Sequence, residues 1–178
     1  RGKPLLPFEE AKLYGHNAIH ALLGFLAAFA GYKKMTELQG EDRLMMLARE
    51  AFINESGRAL IDKYSSLGDE LFTEEGYRHF AEDLLERMTN PFLGDTVARA
   101  GRDVVRKLGA GDRIFGTMSL AIEHGIEPVN MAAGAMAGIA LLLKDASRYG
   151  VPEGLRTVKW RDLSEEDLTR LLAWIWKD

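Results

Sequence analysis

The stretch Lys12-Leu-Tyr-Gly-His-Asn17-Ala-Ile-His20, together with the almost wholly apolar run from Ala18 to Ala30, constrains how the rest of the 178-residue chain can fold. The apolar run predicts a long helix that enters a core. On an α-helix, Asn17 and His20 lie about 140° and about 80° around the axis from Lys12, so the three polar side chains share one broad face. An unpaired buried polar group costs about 1–3 kcal/mol. A polar cluster that enters a core therefore indicates a functional site.

The rest of the sequence also predicts helices, and it contains no alternating strand pattern and no internal repeat. The predicted fold class is therefore all-α. Thr73 and Ser164 are predicted to cap helix starts, whereas Gly31, Gly68 and Gly125 are predicted to end helices. Small residues from Gly134 to Gly138 should let a neighbouring helix pack closely. The predicted helices cover residues 8–30, 41–65, 74–89, 95–108 and 112–124, one that begins at Pro128, and one after Ser164 that ends near Trp174 and Trp176.

Composition limits the domain count and the class of partner. With 178 residues and 47% hydrophobic content, the chain is expected to form one domain over residues 1–178 with an ample core. The net charge of −4 argues against a nucleic-acid partner. The absence of cysteine excludes a disulfide framework and a thiolate metal site, and it favours a cytoplasmic location. The apolar runs 21–30 and 131–143 are shorter than the ~20 residues that span a bilayer, so no membrane partner is expected.

The polar cluster carries a family resemblance. The spacing Lys12-x4-Asn17-x2-His20 is the catalytic signature of the polyol-specific long-chain dehydrogenases, the mannitol dehydrogenase family, and this chain resembles them. In the block Arg87–Pro91 the family usually has phenylalanine after the arginine, whereas this chain has Met88. Residues after Tyr149 match no recognisable block. Over residues 8–145 the further blocks, most similar to the C-terminal domain of the mannitol-1-phosphate 5-dehydrogenase branch, are Glu55-Ser-Gly-Arg-Ala-Leu60, Arg87-Met-Thr-Asn-Pro91, Asp95–Leu108 and Gly111-Asp-Arg-Ile114.

The resemblance implies a fold like the C-terminal domain of 6-phosphogluconate dehydrogenase and a reaction that transfers hydride from a polyol or polyol phosphate to NAD. Lys12 would be the general acid/base, and Asn17 and His20 would be polar partners of the reacting oxygen. No G-x-G-x-x-G sequence follows a predicted strand. The NAD-binding Rossmann domain is therefore expected to be a separate N-terminal partner domain that is absent from this chain.

Substrate-binding residues are predicted in two further blocks. Arg87 and Asn90 belong to a family block near the substrate pocket. Arg102 and Arg106 are four residues apart in a predicted helix, with Lys107 adjacent, and arginine is suited to bidentate phosphate binding. These three basic residues are therefore predicted to bind a substrate phosphate, although they could instead form only a solvated helix face.

Several alternatives stay open at this point. His16 and His20 have the spacing of a helical metal pair, but no further cysteine or histidine of matching spacing completes a zinc site, so no metal is expected. Asn90 could simply initiate a turn before Pro91. The block Glu55–Arg58 could be a helix face that packs closely at Gly57.

Geometry and substrate identity are also open. Lys12 and His20 lie about 12 Å apart along a straight helix, so either the helix bends near Gly15 or a long polyol bridges the two groups. Mannitol 1-phosphate is the favoured substrate, with free mannitol or a hexuronate as alternatives. A helical interaction or regulatory module without catalysis is the second class of function.

Overall fold

The computed structural model describes residues 4–177, and these residues confirm the all-α prediction. No strand occurs among them, apart from one isolated antiparallel bridge between Lys34 and Thr96. Short 3₁₀ turns connect several helices. The helices are α1 (Leu6–Glu10), a π-helical segment π1 (Ala11–Asn17), α2 (Ala18–Ala30), α3 (Asp42–Glu50), a second π-helical segment π2 (Ala51–Gly57), α4 (Arg58–Tyr64), α5 (Glu74–Met88), α6 (Val97–Ala100), α7 (Val104–Lys107), α8 (Phe115–Glu123), α9 (Val129–Lys144) and α10 (Glu165–Ile175).

The first predicted helix is continuous from α1 to α2 and ends at Gly31, whose φ of 94° is the expected left-handed cap. Its middle is π-helical, which the sequence did not predict. A π-helix bonds residues i and i+5, and it occurs frequently at functional sites. Two buried hydroxyls from distant parts of the chain donate to the Tyr14 carbonyl, Ser56 at 2.8 Å and Thr117 at 3.2 Å. Tertiary contacts therefore support this segment.

The second predicted helix is also continuous, from α3 through π2 to α4. The two π segments meet at the buried ring of Tyr77. A Cβ on Gly15 would lie 2.6 Å from the Tyr77 hydroxyl, and a Cβ on Gly57 would lie 2.7 Å from the same ring. Glycine at both positions is thus required for close packing, as the sequence suggested for Gly57.

The prediction of one helix over residues 95–108 is wrong in its middle. The chain forms two single-turn helices, α6 and α7, and Asp103 between them has a φ of 59°, which is uncommon for a residue other than glycine. The Lys107 ammonium donates to the Ala100 carbonyl at 2.6 Å. This contact supplies a partner for a carbonyl where the helix is interrupted. The helix predicted at 112–124 likewise begins later, at Phe115.

Helix α2 lies at the centre of the core, between α9 and α6. Gly134 and Gly138 of α9 contact the side chains of Leu22 and Phe25, which confirms the close packing predicted there. The buried carboxylate of Glu55 accepts three hydrogen bonds from the start of α9, two from Asn130 at 2.6 and 2.8 Å and one from the Met131 amide at 2.8 Å. Glu55 is thus a structural cap for α9.

The C-terminal segment packs onto the same core. Ser164 caps α10, as predicted, by accepting a hydrogen bond from the Asp167 amide at 3.1 Å. The Trp176 indole donates to the Leu108 carbonyl at 2.9 Å. By length and composition the continuous helix from Leu6 to Ala30 could cross a membrane, but half of its most apolar window is buried, and the core helix of a soluble protein passes the same test.

Candidate functional site

Two adjoining cavities lie beside the junction of π1 and α2. The larger, which we call the histidine cavity, has a volume of about 340 Å³. The smaller, which we call the basic cavity, has a volume of about 210 Å³. Asn17, His20 and Arg99 line both, so the two cavities are neighbouring parts of one site. The histidine cavity is also lined by His16, Leu84, Arg87, Met88, Leu93 and Asp95, and the basic cavity by Arg102, Asp103, Arg106, Lys107 and Arg113.

His20 is held by a carboxylate that the sequence did not single out. Its Nε2 lies 2.7 Å from Oδ2 of Asp95, and the exposed fractions of the two side chains are 24% and 12%. Burial lowers the pKa of His20, while the hydrogen bond and the charge of Asp95 act in the opposite direction. The net shift of the pKa is downward, which favours a neutral imidazole at physiological pH.

His16 lies four residues before His20, with 6.5 Å between the two ring centroids. Burial lowers the pKa of His16, and positive charge on His20, Arg87 and Lys12 lowers it further. Within residues 4–177, no three histidine, aspartate or glutamate side chains come together in an arrangement that could hold a metal ion. Both imidazoles line the histidine cavity.

The basic cavity has a strong excess of positive charge. Its lining includes five basic side chains and one carboxylate, that of Asp103. Arg106 contacts Asp103 at 3.5 Å and Asp112 at 3.2 Å, while Arg102 contacts Asp103 at 3.5 Å. The predicted placement of Arg102 and Arg106 on one helix side is wrong, because Arg102 precedes the break at Asp103. The tertiary fold nevertheless brings both to one cavity.

Lys107 is the most unusual basic group of this site. Its exposed fraction is only 7%, and its ammonium group donates to the Ala100 carbonyl. Burial lowers the pKa of Lys107 to about 8, and the nearby cations Arg113 and Arg106 act in the same direction. An incoming anion would relieve this repulsion. Lys107 therefore adds to the positive charge at the wall of the basic cavity.

Lys12 lies in π1 but lines neither cavity, and its side chain is exposed. Because a π-helix pairs residues i and i+5, Lys12 and Asn17 lie closer to one face than on an α-helix. Gly15, near which a bend was one of the two open alternatives, lies inside this π segment, so the backbone there is not that of a straight α-helix. Lys12 is close enough to His16 for its charge to affect that ring.

The two residues of the Arg87–Pro91 block are placed differently. Arg87 lines the histidine cavity and contacts Asp83 at 3.5 Å. Asn90 lines neither cavity, and its side chain accepts a hydrogen bond from the Phe92 amide at 2.9 Å. Asn90 therefore has the turn-initiating role that the sequence left open. Phe92 and Leu93 in this turn are exposed to 95% and 60%.

Asp95, Arg99 and Arg113 were missed as site residues. Asp95 is 75 positions from His20, and no local periodicity reports a contact over such a separation. Arg99 follows Asp95 by four residues, which resembles an ordinary surface ion pair, and the two groups are 3.4 Å apart. Both residues fall within a block that carried the family resemblance, which was the available signal.

A larger cavity, with a volume of about 660 Å³, lies elsewhere among the described residues. It is bounded by the ends of α2 and α9 and by residues 156–162, and it contains none of the predicted site residues. Trp160 packs edge-on against Phe29 at its margin, with 5.3 Å between the ring centroids. Size alone therefore does not identify the site, whereas the convergence of polar and basic groups does.

The chain matches a known protein family. The family described as the mannitol dehydrogenase C-terminal domain matches residues 4–167. This match covers nearly the whole chain, including both cavities and the start of α10. It extends beyond residue 145, where the recognisable sequence blocks end.

Proposed function

Because the chain belongs to the mannitol dehydrogenase family as a C-terminal domain, we propose that it supplies the substrate pocket and the general acid/base of an NAD-dependent polyol-phosphate dehydrogenase. The favoured reaction interconverts mannitol 1-phosphate and fructose 6-phosphate. In the oxidation, the C–H bond of a secondary alcohol breaks, and its hydride passes to the nicotinamide. The O–H bond breaks as well, its proton passes to a base, and a C=O bond forms.

The observation that carries this proposal is the continuity of the two cavities. Asn17 and His20 line a space that leads directly into five basic side chains. A polyol phosphate has the same two parts, a chain of hydroxyls and a terminal dianion. Hydroxyls suit the amide and imidazole groups, whereas a phosphate suits arginines that can donate two parallel hydrogen bonds.

The three residues of the signature would have distinct roles. Asn17 would donate its amide N–H to the oxygen on which negative charge develops. His20 would position the substrate through a hydrogen bond. Lys12 would take the proton, and a lysine base works best when burial or neighbouring cations bring its pKa towards neutrality. Since Lys12 is exposed in this domain, we propose that the NAD-binding domain covers it in the complete enzyme.

We propose that the partner domain binds the nucleotide, and in support residues 4–177 contain no strand and hence no strand–glycine-turn–helix unit. This domain by itself is expected to fold but not to turn over NAD and polyol. A hexuronate is the second candidate substrate, because its carboxylate would also suit the basic cavity. Free mannitol has no charged group for the basic cavity, so its binding would lack that contribution.

The experiment that tests the proposal is replacement of the base in the enzyme that joins this domain to its nucleotide-binding domain. Lys12→Ala should reduce kcat/KM at least ~10²-fold, the lower range for loss of a general base. Lys177→Ala, which removes an exposed lysine that lines neither cavity, is the matched control and should leave the rate unchanged. A Lys12→Ala rate within threefold of wild type would remove Lys12 from the mechanism, whereas absence of turnover in the wild-type two-domain protein would favour a non-catalytic module.

A further inference from the structure

We propose that Asp95 is a positioning residue that binds the Nε2–H of His20 and leaves Nδ1 as the nitrogen that accepts a hydrogen bond from a substrate hydroxyl other than the one that gives its proton to Lys12. The structural part concerns only this chain. The catalytic part rests on the proposed function, because it needs a substrate hydroxyl beside His20.

The Asp95 carboxylate is anchored on both oxygens. Oδ2 lies 2.7 Å from His20 Nε2, while Oδ1 accepts from the Thr96 amide at 2.8 Å and lies 3.4 Å from the Arg99 guanidinium. The backbone is anchored as well, because the Asp95 carbonyl accepts from the Met35 amide at 3.2 Å. These contacts limit the carboxylate to one orientation. Asp95 can therefore impose an orientation on His20 and not the reverse.

The direction of the hydrogen bond follows from the chemistry of the two groups. An ionised carboxylate can only accept, so the proton of a neutral His20 must be on Nε2. The lone pair is then on Nδ1, which can accept but not donate. A histidine in this state can orient a hydroxyl by accepting its proton in a hydrogen bond. It cannot donate to a carbonyl oxygen, which leaves that task to Asn17.

Groups from several elements surround His20 and act on its protonation. His16 is in π1 and Arg87 is in α5. The positive charges of Lys107 and Arg99 lower the pKa of His20, and Asp95 is the group that raises it. Arg102, Arg106 and Arg113 line the basic cavity that His20 also lines, and Asp103 is the one carboxylate there. Loss of the Asp95 charge would leave His20 among cations.

The first test needs no variant. Proton–nitrogen NMR of the 178-residue chain, recorded above the titration of His20, reports which ring nitrogen carries the proton. We expect protonated Nε2 and bare Nδ1. A neutral His20 with the proton on Nδ1 would overturn the proposal whether or not the protein is a dehydrogenase.

The second test uses a matched pair of variants. Asp62 forms the equivalent contact to another histidine, with 2.6 Å between its Oδ2 and His124 Nδ1. Asp95→Asn should lower the pKa of His20 further and disturb its tautomer, while leaving His124 unchanged. Asp62→Asn, which removes the contact with His124, should leave the titration of His20 unchanged. An unchanged titration of His20 in Asp95→Asn, with the amide spectrum of the fold retained, would refute the pairing.

The catalytic part is tested in the enzyme with its nucleotide-binding domain. Asp95→Asn should lower kcat/KM by about 10–100-fold, the range found when the residue that orients a metal-binding histidine is lost. In a His20→Asn background the same change should cause no further loss, because the two residues act as one unit. Equal losses in both backgrounds would show that Asp95 acts otherwise. Turnover that is unaffected by His20→Asn would instead refute the role of His20 in the proposed function.

Discussion

Gly24→Ala should destabilise this domain even though alanine is the better helix former. Gly24 is in the middle of α2, where alanine would be favoured over glycine by about 1 kcal/mol on helix propensity alone. The contact with α6 acts in the opposite direction. A Cβ at this position would lie 2.5 Å from the carbonyl carbon of Ala100 and 2.7 Å from the backbone nitrogen of Gly101.

The size of the effect follows from these distances. Carbon atoms pack at about 3.5–4.0 Å, so α6 must move away from α2 by about 1 Å. Both obstacles are backbone atoms that cannot change rotamer, which places the overpacking cost near 2–3 kcal/mol. After the gain in propensity, the free energy of unfolding should fall by about 1–2 kcal/mol. Since His20 is one turn before Gly24, the movement should also lengthen its contact with Asp95.

Urea unfolding followed by circular dichroism measures this change, and the NMR titration of His20 reports the site. Gly40→Ala is the control, since no atom lies within 4 Å of a Cβ there, and it should change stability by no more than about 0.5 kcal/mol. An unfolding free energy of Gly24→Ala equal to or above that of wild type would show that propensity outweighs the contact. The close contact described between α2 and α6 at Gly24 would then be incorrect.

Two further predictions concern buried charges. Burial and neighbouring cations lower the pKa of Lys107 to about 8 in the folded chain, against about 10.4 for an unfolded lysine. Between these two pKa values the unfolded state binds more protons than the folded state, so Lys107 makes the free energy of unfolding rise with pH. Lys107→Met should abolish that rise, which urea unfolding midpoints at several pH values would measure. A pH dependence equal to that of wild type would contradict the prediction. Glu55→Gln should cost about 1–3 kcal/mol, because an amide NH₂ would face a backbone N–H of α9. Glu75→Gln is the control, because Glu75 is exposed, and it should change the free energy of unfolding by no more than about 0.5 kcal/mol. Equal urea midpoints for the two variants would exclude the role of Glu55 as a cap of α9.

The helix boundaries that local chemistry determines were predictable from sequence. The caps at Thr73 and Ser164 and the left-handed glycine at Gly31 depend on side chains and backbone preferences within a few residues. The π segments were not predictable in this way. Their i→i+5 pattern depends on partners such as Ser56 and Thr117, which come from elsewhere in the chain.

In the candidate site, too, the residues that belong to a local sequence pattern were predictable, and those that depend on long-range contacts were not. Asn17 and His20 were predicted because they belong to one local signature, and they do lie together. Asp95 could not be inferred from spacing, because its contact with His20 depends on how α6 packs against α2. The break at Asp103 was missed because a helical pattern of apolar residues does not reveal the hydrogen bond from Lys107 to the Ala100 carbonyl. Long-range contacts thus complete a site of which the sequence shows only the local part.

The proposal that the basic cavity binds a substrate phosphate is tested most directly by Arg106→Ala in the complete enzyme, with Arg78→Ala as the control. Arg78 is exposed and lines neither cavity. The specificity constants for mannitol 1-phosphate and for free mannitol are measured for each variant. Arg106→Ala should lower the specificity constant for mannitol 1-phosphate by an amount equivalent to about 2–4 kcal/mol. The lower value corresponds to one charge-assisted hydrogen bond and the upper value to a bidentate pair. The specificity constant for mannitol should be nearly unchanged. Equal losses on the two substrates would mean that Arg106 supports the pocket in general and does not bind the phosphate.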